Sequence, residues 1–438
     1  MTLSLKLWAL AAVQLLAAFA IDWYAVIHLG AGVQLDAAFA GMTIPTLVLQ
    51  VVSGSLTFVL VPLLSLESPA QFQRIGWTFV VFVGALFTAL VVVLGAAAAV
   101  WVPWIVPGFT PSAKALTVRM TQIQLLATLG TALNGVLVAM WQSRHRFVWP
   151  ATVPILAATA ASILLVLGLD RVGVELVAWC QVLLACGQTV LLAPILGRFQ
   201  SPEWRAPELW EALRRMRPLL LGTTYYKTET LLTRFLASFL PAGSVTLLAL
   251  AQRVLGAATN VITSGLSTPI VPQLALLAEA GKWQQFRALC RKHLGWMAWV
   301  TGAASLALLV FGEPLLRLVF ERRDFTLGDV HALWLAILAM SGLLVGGGLG
   351  QIYSTTFYAQ GNTATPTAIG VVGYTIGIGL RVLGLHVWGL YGIAIAVSAH
   401  YLLNVVLFEY RLRVRLGRLS DAREDSPSIR EGLAGGSI

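Results

Sequence analysis

Val51-Val-Ser-Gly-Ser-Leu-Thr-Phe-Val-Leu-Val-Pro-Leu-Leu64 lies inside a long apolar run and has an echo 210 residues further on, Val261-Ile-Thr-Ser-Gly-Leu-Ser-Thr-Pro-Ile-Val-Pro-Gln-Leu274. Five of the fourteen positions are identical, and several others pair like with like. A second echo relates the region of Pro150 to that of Pro366 at nearly the same offset. Duplicated membrane bundles commonly place a solute pathway between their halves, which rock around it. The repeat therefore points to a transporter made of two related halves.

Composition agrees with a membrane setting. Of 438 residues, 58% are hydrophobic and 11% charged, against the roughly 25% charge that a water-facing surface requires. Apolar runs long enough to cross about 30 Å of hydrocarbon recur along the chain. They predict twelve spanning helices, near 7–29, 38–64, 76–104, 115–141, 149–169, 174–197, 218–240, 243–272, 290–312, 329–358, 364–385 and 388–410. A membrane β-barrel would need alternating rather than continuous apolar segments. The expected fold class is an all-α polytopic membrane protein with two six-helix lobes and a central cavity. Six spans per lobe imply a parallel pseudo-twofold along the membrane normal.

The lobes are expected at 1–197 and 218–410. Between them, 198–217 sets Leu209, Trp210, Leu213 and Met216 at helical spacing against Arg214, Arg215 and Arg217, the pattern of an amphipathic linker helix lying in the interface. A shorter helix of this kind is expected near 275–289. The polar tail at 411–438 has little apolar surface to bury and is read as disordered and cytoplasmic. Met1–Lys6 reads as a short cytoplasmic lead-in, because the first apolar segment is too long for a signal-peptide core. Cys180, Cys186 and Cys290 have no metal or redox spacing and read as packing residues.

The net charge of +10 is distributed as topology rather than as a nucleic-acid surface. With the N-terminus inside, 19 of the 29 basic residues fall on the cytoplasmic side, including five from Arg198 to Arg217, four from Lys282 to Lys292 and six from Arg411 onward. That asymmetry puts both termini in the cytoplasm. The expected location is the bacterial inner membrane.

Charges within spans need a partner or a wet cavity. Gly222-Thr-Thr-Tyr-Tyr-Lys-Thr-Glu-Thr-Leu-Leu-Thr-Arg234 carries Lys227, Glu229 and Arg234 among five threonines and two tyrosines. Lys227 and Arg234 are seven apart and share a helix face, whereas Glu229 points about 200° away from Lys227. Two readings stand: a cationic stripe lining an aqueous cavity for an anionic head group, or interhelical ion pairing for packing alone. The density of hydroxyls favours the cavity. Arg253 and Arg381 either extend this basic surface or neutralise Glu229. Among the acids, Asp22 reads as an ion or proton site or a buried hydrogen bond, and Asp36 as a cap for its own helix. No nucleophile elbow, phosphate-binding loop or metal-ligand cluster is present, so no enzyme activity, metal or cofactor is expected. Energy would come from a coupling ion such as Na+ or H+, the membrane potential or the solute gradient.

A series of short motifs then resembles the MurJ/MviN lipid II flippases of the multidrug/oligosaccharidyl-lipid/polysaccharide exporter superfamily. They are Leu29-Gly-Ala-Gly32, Asp36-Ala-Ala-Phe39, Ile44-Pro45, Val61-Pro62, Ala237-Ser-Phe-Leu240, Gly243-Ser-Val245, Gln252-Arg253, Pro269 with Pro272, Phe357-Tyr358 and Thr365-Pro366. The likeness runs in order from about residue 12 to 410. It implies alternating access that carries a polyprenyl-pyrophosphate-linked saccharide, lipid II or a related envelope precursor, to the outer leaflet. It also implies a functional role for Arg253 and a second-helix acid at Asp36. Where lipid II members place arginines in the first two spans, this chain has Leu15, Ile21 and Leu49, with Gln50 beside the last. Two further C-terminal helices common in the family are not expected here. Lys227, Arg234 and Arg381 would then have to supply the missing charge. Partners implied are the lipid-linked saccharide, membrane lipids and envelope-synthesis enzymes. Two other readings are a cation-coupled multidrug exporter, dependent on Asp22, Asp36 or Glu229, and a non-transporting envelope scaffold, indifferent to loss of the cations.

Overall fold

The structure, a computed structural model, describes residues 3–65, 68–267 and 270–424. Helices follow one another as α1 (Leu3–Leu29), α2 (Val33–Gly41), α3 (Thr43–Ser65), α4 (Pro69–Ala96), α5 (Ala98–Ile105), α6 (Pro111–Ser143), α7 (Val148–Val172) and α8 (Glu175–Leu192), with a short 3-10 turn at Ala193–Leu196. They continue as α9 (Pro207–Lys227), α10 (Glu229–Ala237), α11 (Ser244–Ser267), α12 (Ile270–Glu279), α13 (Trp283–Phe320), α14 (Leu327–Ala339), α15 (Ser341–Tyr358) and α16 (Ala364–Glu424). Among the described residues the one β feature is an isolated bridge between Arg322 and Phe325.

Nine stretches among the described residues are long and apolar enough to cross a membrane. The last, Ala364–Arg415, has 52 residues. As one rod it would reach about 78 Å, far beyond the hydrocarbon thickness. Gly389, at φ 56°, breaks it into two arms at the expected junction between spans eleven and twelve. The two remaining expected spans, 38–64 and 218–240, coincide with helices interrupted at Met42 and at Thr228. The chain is thus an all-α, multi-pass membrane protein, as its composition requires.

Both interruptions have local causes. Pro45 lies in the first turn of α3, where its missing N–H is tolerated but the helix cannot be continued back through Met42. At Thr228 the side-chain hydroxyl donates to the Tyr225 carbonyl at 2.6 Å. That bond competes with the backbone ladder and leaves the residue at ψ 0°.

The described chain packs as two compact units, Met1–Ala249 with Pro314–Leu333, and Leu250–Glu313 with Trp334–Ile438. The division therefore falls inside α11 rather than at 198–217. The expected linker belongs to the first unit because α9 packs on α3 and α4, with Leu209 and Ala212 buried in that unit's core. Leu60, Leu64, Phe72, Phe79, Phe87 and Met140 form the rest of this core. In the second unit Ile270, Leu274, Phe286, Phe357, Phe408 and Leu412 form the corresponding cluster. Outside both cores the helices expose large apolar side chains, Leu167 at 73% and Val190 at 71% among them, as hydrocarbon-facing helices do.

The tail reading needs one correction. α16 does not end near 411 but continues to Glu424, supported by the i,i+4 ion pair of Glu409 with Arg413. Residues 425–438 of that expected tail lie outside the described ones. Cys180 and Cys290 are buried, as packing residues are, whereas Cys186 is exposed; all three are free thiols.

Candidate functional site: a cationic stripe beside a backbone seam

Lys227 ends α9 and Arg234 lies in the last turn of α10, one on each side of the break at Thr228. Both reach α3. The Lys227 ammonium donates to the Gln50 carbonyl, and Arg234 Nη1 donates to Thr43 Oγ1 at 3.2 Å. Gln50 and Thr43 are also seven residues apart, so the two cations meet α3 in antiparallel register along a single stripe. The break does not destroy the shared face that the spacing predicts.

The acceptors are neutral. Among the described residues, neither Lys227 nor Arg234 has a carboxylate within ion-pair distance, and Arg234 Nε is buried with no hydrogen-bond partner. Arg234 is only 9% exposed, and Lys227 is half-buried. A carbonyl and a hydroxyl satisfy part of the donor geometry of a cation without cancelling its charge. The stripe therefore projects a net positive field into a weakly screening environment, where an anion gains most. Glu229, the first residue of α10, is partly buried and engaged in an interaction of its own. Thr233 beside it closes its hydroxyl on the Glu229 carbonyl at 2.9 Å.

Asp36 lies in the first turn of α2 but does not cap it. That helix has Gly32 at its N-cap and no side-chain cap bond. Instead the carboxylate accepts from Gly243 N–H at 2.6 Å, Thr246 N–H at 2.7 Å and Thr246 Oγ1 at 2.6 Å. It is the N-terminal cap of α11, whose own first turn holds no acid. The expectation that it caps its own helix is thus corrected: the helix it serves is α11.

Around this carboxylate, elements distant in sequence meet through their backbones. Gly243 has φ +94°, and a Cβ there would lie 2.8 Å from the Ala31 carbonyl oxygen. Gly30 has φ +64° and faces the Asp324 carbonyl in the same way, at 2.7 Å. Asp324 N–H donates to the Ile27 carbonyl at 3.1 Å, and Trp23 Nε1–H donates to the Val319 carbonyl at 2.7 Å. Gly108 N–H reaches Ser238 Oγ at 3.3 Å. All of these residues belong to the first unit. Together they form a seam joining the ends of α1 and α2 to α10, the start of α11 and the α13–α14 connection.

Asp22 is buried in α1 and has a partner. Arg253 lies on α11 two turns beyond Thr246, on the face that begins with the Asp36 cap. Arg381 is placed otherwise. It is fully buried, inside the second unit, with Nη2 at 3.4 Å from His400 Nδ1 on the other arm of α16. His400 Nε2 lies 3.2 Å from the Asn404 amide. Arg381 thus has no surface for a ligand to touch in this structure. Sequence reading missed Thr43, Thr246, Gly30 and Gly108. A helix lacking any acid in its first turn, such as α11, is the one signal that could have sent a reader looking for a distant cap. Among the described residues no cluster of His, Cys, Asp and Glu could hold a metal.

A family model described as lipid II flippase MurJ matches residues 26–424. A probable lipid II flippase MurJ of Bdellovibrio bacteriovorus is 29% identical over 48% of this chain and 40% of its own length. The chain spans about two fifths of the length of the curated relatives it matches first. A solved structure of lipid II flippase MurJ in an inward closed conformation superposes with a TM-score of 0.79 at 18% identity, over 92% of this chain and 87% of that one. An inward-facing MATE family multidrug resistance transporter superposes with a TM-score of 0.78 at 13% identity, over 93% and 96%. At such identities these two likenesses establish the fold.

Proposed function

The chain belongs to the MurJ family of lipid II flippases, and from that premise we propose that it carries a polyprenyl-pyrophosphate-linked saccharide across the inner membrane by alternating access. The observation that carries the proposal is the stripe of Lys227 and Arg234 held by neutral acceptors. A pyrophosphate is a compact dianion or trianion, and bonds from cations to it are about twice as strong as neutral hydrogen bonds. Displacing Gln50 and Thr43 by phosphate oxygens exchanges weak acceptors for charged ones. Arg253, in the second unit, is a further functional cation of this proposal, whereas Arg381, enclosed within its own helix pair, is not.

The seam supplies the second half of the mechanism. Its bonds are short, specific and few, and aromatic rings pack beside them, Phe19 on Phe320 and Phe320 on Phe325. Such a closure can part as a unit and form again, as alternating access demands. With both termini cytoplasmic, as the charge distribution argues, the seam lies toward the outer end of the first unit. Loss of the Asp36 cap would then favour opening to the outside. A multidrug exporter would need a carboxylate available to a cation, whereas the Asp36 oxygens are committed to three donors on α11. The coupling ion or the membrane potential would act on the seam or on Glu229, and contact with envelope-synthesis enzymes belongs to the same proposal.

The test is replacement of flippase function in cells depleted of their own lipid II flippase. The intact chain should restore growth, while Arg253→Ala and Lys227→Ala/Arg234→Ala, expressed to the same level, should not. Growth restored equally by all three would sink the cationic grip. Failure of a well-expressed intact chain would redirect the proposal to another lipid-linked glycan or to a scaffold.

A further inference from the structure

Near residue 411 the two arms of α16 leave a groove of about 280 Å³ between them. Its floor is apolar, formed by Ala368, Ile369, Val372 and Leu407, and its mouth is polar, formed by Thr365 and Arg411. The adjoining face of the helix is built to meet hydrocarbon: Val406 is 64% exposed and Tyr410, one turn on, 63%.

The mouth carries uncompensated charge. Arg411 and Arg415 stand one turn apart on the same helical face. Among the described residues neither has an ion-pair partner, and Arg415 Nε is buried without a hydrogen bond. The adjacent Arg413 shows the alternative arrangement, since it pairs with Glu409, whose other oxygen accepts from Tyr353 at 2.8 Å. Thr365 Oγ1 accepts from Asn362 Nδ2 at 2.8 Å and keeps its own proton for a further acceptor. Arg411 and the Thr365 hydroxyl thus line the opening of an apolar trough, with Arg415 one turn further along the helix.

We propose that this groove binds one anionic phospholipid, its phosphate on Arg411, Arg415 and the Thr365 hydroxyl, and an acyl chain lying along Ala368, Ile369, Val372 and Leu407. A soluble phosphate would gain nothing from the apolar floor. A zwitterionic lipid would bring a further cation to a mouth that is already cationic. The end of α16 that carries the basic excess is also the end where anionic head groups concentrate. The assignment stands apart from the flippase reading, since it concerns a different surface and needs no transport.

The experiment is native mass spectrometry of the full chain in detergent, titrated with dioleoyl phosphatidylglycerol against dioleoyl phosphatidylcholine. The intact chain should retain a single phosphatidylglycerol about tenfold more readily than the choline lipid, as expected for two arginines at a charged interface. Arg411→Gln/Arg415→Gln should bring that ratio close to one, and the corresponding double lysine variant should keep it. Ala368→Trp fills the trough without changing charge and should lower phosphatidylglycerol retention to the same extent. Arg198→Gln removes an exposed cation elsewhere and should change nothing. Equal retention of the two lipids by the intact chain would overturn the proposal. So would a preference that survives Ala368→Trp, because it would reflect diffuse attraction rather than a groove.

Discussion

Arg234 and Arg381 are both buried arginines in membrane helices, and they are held in opposite ways. Arg234 lies at the edge of a helix break, bonded to one hydroxyl on α3, with its Nε unused and Lys227 two turns away on the same stripe. Arg381 is sealed between the two arms of a single helical hairpin against His400. Gly377 stands where a Cβ would come within 2.8 Å of its Nη1. One arginine has been given room; the other has been given a field. A charged residue inside a membrane protein is therefore not in itself evidence of a ligand site. The discriminating feature is whether the residue is enclosed by its own helices or left at the edge of a break.

That distinction can be tested in order of expected effect. Removing both stripe cations, Lys227→Ala/Arg234→Ala, should weaken binding of a purified polyprenyl pyrophosphate by about a hundredfold or more, since each charged hydrogen bond contributes about 1.5–3 kcal/mol. Titration by tryptophan fluorescence would measure it, and unchanged affinity would erase the contrast with Arg381. Asp36→Ala should come next. It strips three donors of their acceptor at the start of α11, for a loss of about 2–4 kcal/mol of stability seen as a lower melting temperature in detergent. Asp36→Asn keeps one acceptor and should lose about half as much. Arg381→Met should change stability by no more than about 1.5 kcal/mol in either direction, because replacing a buried charge with an apolar residue of similar volume is often neutral. It should leave pyrophosphate affinity intact, and a large loss of affinity with an unchanged melting temperature would make Arg381 part of the grip after all. Smallest is Thr43→Val, which removes one neutral acceptor from Arg234. It should cost about 1 kcal/mol in melting experiments without weakening the pyrophosphate complex.

Much of the architecture was readable from residue order. Continuous apolar runs located the helices, and the density of threonine and charge in 222–234 marked the one segment that could not face lipid. What stayed hidden shares one physical character: it depends on which helix lies opposite. Asp36 was legible as a cap, yet its helix begins more than 200 residues later, and nothing in the local pattern of α2 reveals that. Thr43 and Gln50 are unremarkable on α3 until an antiparallel neighbour with the same seven-residue spacing is set against them. Arg381 and His400 come together because Gly389 folds α16 back on itself; the apolar runs announce the reversal but not which residues meet across it. The compact units divide inside α11 and not at the polar stretch 198–217 for a related reason. The amphipathic pattern of α9 has a buried face, and sequence alone does not say that α3 and α4 fill it.

Gly30 and Gly243 carry no side chain, and each lies against a backbone carbonyl. Each occupies a conformation that side chains resist, in a gap too narrow for one more carbon. A saturation mutagenesis map of this chain would therefore give these two positions the same intolerance as its essential cations. Anyone tracing a ligand from such a map would be drawn toward the seam, where there is no room for one. Separating the two classes needs a second axis: variants of the seam should shift the balance of accessible states, as scored by cysteine labelling from either side of the membrane. Variants of the stripe should leave that balance alone.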